Sequence, residues 1–172
     1  MNGPLPTSDN ENKESGMPGK LNVTTPSDRE IVLVREFDAP RPLVWDCHTK
    51  PALVRKWMLG PPGWTMPVCE IDLRVGGKYR YEWAKDGTTM GMGGVFREVV
   101  APEKLASSEL FDQDWTGGET LASQVFEEKK GRTTLTMTIL YASKEARDGA
   151  LATPMLEGME SGYSRLDEMV AG

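Results

Sequence analysis

His48 is the only histidine in the chain, and that limits the chemistry open to it. Zinc sites usually draw on several His or Cys side chains. Here only Cys47 and Cys69 accompany His48, too far apart for a CxxC motif and too few for a disulfide framework. Both read as small buried hydrophobes. A Ser-His-Asp triad is formally possible, but no G-x-S-x-G elbow presents a serine. Gly91-x-Gly93 begins a dinucleotide fingerprint, yet Phe96 stands in the place of the third glycine and the context is a strand hairpin. No metal and no cofactor is therefore expected. Charged residues are better represented: Glu70, Asp72, Arg74, Lys78, Arg80 and Glu82 alternate along two adjacent strand-like runs. Cross-strand charge pairs on a solvent face explain them. The functional alternative would bury one acid, or Arg74, in a pocket with a shifted pKa.

A different chemistry is suggested by residues 55–66, RKWMLGPPGWTM. Glycine-rich loops can cradle phosphate through their backbone N–H groups. Pro61 and Pro62 have no N–H and fix their own φ angles, so this loop cannot work that way. It reads instead as a stiff lid carrying Trp57 and Trp64. Those two join Tyr79, Tyr81, Trp83, Met90, Met92, Phe96, Phe111, Phe126, Met155, Met159 and Tyr163. Any one of these is explained by core packing. As a set, flexible Met and polar-tipped Tyr and Trp suit a deformable pocket better than a tight core, where Leu, Ile and Val dominate.

The elements that must position these side chains follow from periodicity. Ile31–Phe37 is β-branched and apolar, as a first strand should be. Asp38-Ala39-Pro40 starts a helix with Leu43, Val44 and Cys47 on one face, and Pro51 opens a second short helix through Trp57. From Thr65 to Tyr141 the period becomes two: CEIDLR, KYRYEW, MGMGGVFREVV, LASSELF, ASQVFEE and TTLTMTILY are separated by turn signals such as Asp86-Gly87 and Lys130-Gly131. Short links make these an antiparallel meander of about six strands. Gly76-Gly77 and Gly93-Gly94 are candidate bends. Ser143 can cap a short helix, and Thr153-Pro154 can cap and open a longer one to about Val170. Met155, Met159, Gly162, Tyr163, Leu166 and Met169 lie on one face of the latter. The order is α+β: a curved antiparallel sheet of six to seven strands with one long terminal helix.

Composition bounds the class. A length of 172 residues favours one core. Residues 1–28 are rich in Gly, Pro, Ser, Asn and charge and cannot offset ordering entropy, so a disordered tail is expected at 1–28 and a compact domain at 29–172. The tail lacks an apolar h-region, and no run approaches a membrane span. Without export, the sequon at Asn22-Val23-Thr24 carries no meaning. A net charge of −6 and a pI near 4.9 argue against a nucleic-acid surface. A cytoplasmic protein with neither nucleic-acid nor membrane partner is the expectation.

Four blocks occur in family order: REFDAPRPLVWDCHTKPALVRKWMLGPPGW, DLRVGGKYRYEW, GGVFREVVAPEKL and GMESGYSRLDEMV. Together they resemble the activator of heat-shock-protein-90 ATPase homologue-like branch of the START-like (SRPBCC) superfamily, over about residues 29–171. The resemblance implies a helix-grip fold, in which the sheet wraps the C-terminal helix around a deep, mostly apolar cavity. By position, Trp57 matches the tryptophan ending the second helix, and Gly60-Pro61 with Gly63 match the lid turn. Asp72, Arg74, Gly76 and Gly77 match an Asp-x-Arg-x-Gly-Gly block, and Gly158, Met159 and Gly162 match the terminal helix. Tyr163 stands where tryptophan is common, Met58 where a second aromatic is frequent, and His48 where the family is apolar or aromatic.

The leading expectation is a binding protein that holds a small hydrophobic or amphipathic molecule without catalysis. The ligand-binding residues would be Trp57, Trp64, Tyr81, Trp83, Met92, Phe96, Phe111, Met155, Met159, Tyr163 and His48. The resemblance also implies an alternative, a chaperone-interacting module, which an exposed patch on the outer face of the sheet would favour. A third reading, a cyclase- or hydrolase-type enzyme, needs a titratable group in the cavity, with His48 or Glu70 the best candidates.

Overall fold

The structure is a computed structural model that describes residues 20–171. Eight strands, β1 (Asn22–Thr24), β2 (Glu30–Phe37), β3 (Thr65–Ile71), β4 (Lys78–Lys85), β5 (Thr88–Val100), β6 (Lys104–Phe111), β7 (Thr120–Lys129) and β8 (Arg132–Leu140), form one sheet in the order β1-β2-β8-β7-β6-β5-β4-β3. Every pair is antiparallel. The helices are α1 (Arg41–Thr49), α2 (Pro51–Trp57), α3 (Lys144–Leu151) and α4 (Met155–Ala171).

The sheet has more strands than expected because β1 pairs with β2, Val23 opposite Leu33. That strand lies inside the span assigned to a disordered tail, so the boundary at residue 28 is too late. Val23 needed only a strand edge to pair with, which composition over a window cannot register. The rest of that expectation, for residues 1–19, lies outside the described residues.

Alternation does what the pleat requires. In β2, Ile31, Leu33, Arg35 and Phe37 are buried while their neighbours are half-exposed, and Thr133, Leu135, Met137 and Ile139 of β8 repeat the pattern. The long strand β5 turns through a register shift between Phe96 and Glu98. A Cβ on Gly94 would collide with the backbone carbonyl of Ser108 on β6. Only glycine lets the strands approach this closely.

Helix α4 lies against the inner face. A Cβ on Gly162 would stand 3.1 Å from the Trp57 carbonyl oxygen, so the glycine permits α2 and α4 to touch. Ser143 caps α3 as expected, its hydroxyl accepting from the Ala146 N–H at 3.0 Å. Thr153 does not cap α4: its hydroxyl donates to the Ala150 carbonyl at 2.6 Å and closes the end of α3 instead. At the other end of α4, Arg35 reaches across from β2 and makes a two-pronged bond to Asp167 at 3.0 and 2.8 Å. Arg35 is only 1% exposed and lies over the Phe37 and Tyr163 rings at 5.0 and 5.8 Å. No helix among the described residues is long and apolar enough to cross a membrane.

Candidate functional site

Between the sheet and the first half of α4 lies a hollow of about 530 Å³, within the range of small-molecule sites, roughly 300–1,000 Å³. Period two supplies its walls: Tyr79, Tyr81 and Trp83 from β4, Met90, Met92 and Phe96 from β5, and Leu105, Ser107, Glu109 and Phe111 from β6. Thr120, Ala122 and Gln124 of β7 and Met137 and Ile139 of β8 continue the wall, while Met155, Gly158, Met159, Gly162 and Tyr163 face it from α4. The lid contributes Met58, Leu59, Gly60, Pro61 and Trp64.

Ten of the eleven sequence-proposed residues meet on this hollow: Trp57, Trp64, Tyr81, Trp83, Met92, Phe96, Phe111, Met155, Met159 and Tyr163. The two tryptophans of the lid differ in role. Trp57 is buried beneath the lid: its Nε1–H donates to the Cys47 carbonyl at 2.8 Å, and its ring stacks on Tyr163 at 5.5 Å. Trp64 stays half-buried on the far side of the Pro61-Pro62 turn. The lid is held from below by Trp83, whose Nε1–H donates to the Met58 carbonyl at 2.7 Å. It rests on α4 at Gly158, where a Cβ would lie 3.6 Å from Pro61 Cδ.

His48 is the exception. It is buried among Trp57, Phe126 and Phe37, with ring centroids 4.9, 5.2 and 6.4 Å away, and does not line the hollow. Its Nδ1–H donates to the Val44 carbonyl at 2.8 Å, and Nε2 has no partner among the described residues. Burial pushes its pKa down to about 4, so at neutral pH it is a neutral ring in the core. Its place one turn beyond Val44 on the inner face of α1 sends it into the packed side of the molecule.

Glu70, the other proposed catalytic candidate, is exposed and pairs in register with Arg80. Arg80 in turn makes two bonds to Asp112, at 2.9 and 2.6 Å, and one to Glu82 at 3.1 Å. The alternating charges of these strands are a surface network. Cys47 and Cys69 are buried free thiols whose pKa values burial raises, and among the described residues no three His, Cys, Asp or Glu side chains gather as metal donors.

The titratable group on the hollow is one the sequence reasoning missed. Among the described residues Glu109 is the only carboxylate on its wall. It accepts from the Thr120 hydroxyl, its cross-strand neighbour, at 3.2 Å. The surface it retains faces the hollow, so burial dominates and pushes its pKa up to about 7. Burial likewise raises the pKa of Tyr79, Tyr81, Tyr141 and Tyr163 beyond any physiological range. The signal was in LASSELF: Glu109 shares its parity with Leu105 and Phe111, both of which turn inward.

A family model described as "Activator of Hsp90 ATPase homolog 1-like protein" matches residues 38–171. The fold is similar to a crystal structure of a protein from Rhodobacter sphaeroides, 35% identical, with a TM-score of 0.83 and coverage of 88% of this chain and 99% of that one. A protein from Mycobacterium smegmatis is 25% identical with a TM-score of 0.77, covering 88% and 97%. An HSP90 activator from Plasmodium falciparum is 20% identical with a TM-score of 0.60, covering 84% and 96%, and shares the fold alone. No protein of curated function matches the sequence.

Proposed function

The chain belongs to the activator of Hsp90 ATPase homolog 1-like family, and from that premise we propose that it holds a small apolar or amphipathic molecule in the internal hollow without transforming it. The observation that carries this reading is the hollow itself. A fold able to pack α4 against the sheet with Leu and Val instead keeps about 530 Å³ open and lines it with aromatic and methionine side chains. Interiors are otherwise close-packed, and unfilled volume costs stability. The lid fits the same purpose. Proline rigidity lowers the entropy lost in holding it closed, and Trp83 and Gly158 give it fixed seats. Catalysis would need an acid or base with a reacting partner. Among the described residues Glu109 is the one carboxylate there, and it accepts its hydrogen bond from Thr120. A cytoplasmic setting is part of the proposal, in keeping with two buried free thiols.

Native mass spectrometry of freshly purified protein tests the reading, with an added mass of a small molecule as the expected result. Titration with apolar ligands should quench or shift tryptophan emission, and Trp64→Ala should weaken that response. A protein that retains nothing and responds to no ligand would sink it. Membership of the family favours a second reading, a module that acts on a chaperone ATPase. Stimulation of Hsp90 ATPase activity by the purified chain would support that reading, and it would need the outer surface rather than the hollow.

A further inference from the structure

Glu109 stands on the wall of the hollow with no cation to neutralise it. Among the described residues its one hydrogen bond comes from the Thr120 hydroxyl, and no charged group acts on it. Aromatic rings line the same hollow. Phe111, two residues along the same inward face, stacks with Trp83 at 6.4 Å and meets Trp115 at 4.8 Å. Tyr81 packs on the other edge of Trp83 at 5.9 Å. All of them line the hollow. A lone carboxylate on a wall it shares with several aromatic rings attracts a cation through both charge and ring quadrupoles.

We propose that the hollow takes a cationic amphiphile, a primary or secondary amine on an apolar chain, with its ammonium on the Glu109 carboxylate and its chain along Met92, Met155 and Met159. This rests on the reading that the hollow binds a small amphipathic molecule and adds which end of that molecule goes where. The competing head groups fit less well. A carboxylate head would meet Glu109 as a like charge in a low-dielectric site. An alcohol head could share a hydrogen bond with Glu109 but would leave its charge unmatched. Burial holds the empty site partly protonated near neutrality, so an incoming ammonium displaces a proton into solvent. Acidification therefore weakens amine binding, because it protonates the carboxylate that the amine needs.

The test uses three probes of one chain length, decylamine, decanol and decanoate, titrated into the full chain and followed by tryptophan fluorescence and calorimetry. A charge-assisted hydrogen bond is worth about tenfold in affinity or more, so decylamine should bind at least that much tighter than decanol. Glu109→Gln should erase the difference, bringing decylamine down to the affinity that decanol has for the same variant. In the unaltered protein, decylamine affinity should fall from about pH 8 to about pH 6 while decanol affinity stays level, a readout that needs no variant to fold. Calorimetry in buffers of different ionisation enthalpy should show proton release with the amine. Decanol binding as tightly as decylamine, or a preference for the amine that survives Glu109→Gln, overturns the amine assignment and leaves the ligand-binding reading standing. Failure of all three probes to bind removes that reading, and this inference with it.

Discussion

The two ends of α4 meet the sheet in opposite ways. Around Leu166 the space is solid: Phe37, Val44, Trp45, Val54, Phe126 and Leu135 close on one another, and Arg35 and Asp167 clamp the helix down. Around Met155 and Met159 the same helix faces a hollow. Each end also holds one side chain whose shifted pKa lies between about 4 and about 7. His48 is sealed in the solid end with one nitrogen unpaired, and Glu109 stands on the wall of the open end. The difference teaches where this fold spends its packing. One end supplies the stability that lets the other remain unfilled.

The largest expected contrast comes from matched truncations. Leu166 is fully buried, so Leu166→Ala should cost about 2–5 kcal/mol, the transfer and cavity terms of a closed core. Met155→Ala removes a side chain that already borders open volume, and should cost less than about 1.5 kcal/mol. Denaturant melts of the two variants measure both values. Equal costs would mean that the hollow is filled in solution and that the two ends do not differ.

How far this division was legible in the sequence depends on the element. Strand and helix order followed from periodicity, because alternation in IVLVREF or TTLTMTIL leaves one face to bury, and this reading matches β2 and β8. The aromatic and methionine set that meets in the hollow was legible for the same reason. The fate of His48 was not. Its neighbours Cys47 and Thr49 say only that α1 is buried, and which side of Trp57 the ring occupies is set by the crossing of α1 over β7 and β8. Glu109 was overlooked because a charged residue in a strand is ordinarily on its solvent face, and Leu110 beside it blurred the parity of the strand. Asn22–Thr24 form a strand only because β2 offers a free edge, which is a tertiary fact.

Two glycines of α4 sharpen the comparison at the next level of effect. Gly162 sits where the hollow meets the packed end, and a Cβ added there would stand 3.1 Å from the Trp57 carbonyl oxygen, whereas one added to Gly158 would make only ordinary contacts, at 3.6 Å to Pro61 Cδ and 3.7 Å to Gly60 Cα. Gly162→Leu should destabilise by about 1–3 kcal/mol through overpacking. Gly158→Ala should stabilise by up to about 1 kcal/mol, the difference in helix propensity, because its Cβ has room. A neutral or stabilised Gly162→Leu would show that α2 and α4 do not touch as closely as the structure has them.

The smallest and most discriminating effect is the pH dependence of stability, because the two buried groups titrate with opposite sign. His48 has a folded pKa of about 4 against an ordinary 6.5. Between those values the unfolded chain binds the proton more readily, so this contribution to stability is intact above about pH 6.5 and declines as the pH falls. Glu109 has a folded pKa of about 7 against an ordinary 4.5. Here the folded chain holds the proton, so stability is intact below about pH 4.5 and declines as the pH rises towards 7. In the window between pH 4.5 and 6.5 the two slopes oppose each other, each on the order of 1 kcal/mol per pH unit. Their sum in the unaltered protein is close to flat. Removing one group unmasks the other: His48→Leu should lose stability as the pH rises across that window, and Glu109→Gln should gain it. Urea midpoints at half-unit intervals, taken as differences from the unaltered protein, cancel the surface carboxylates common to all three. Parallel profiles for the two variants would mean that at least one of these side chains is hydrated in solution, and the candidate is Glu109, which is half-buried on the wall of the hollow.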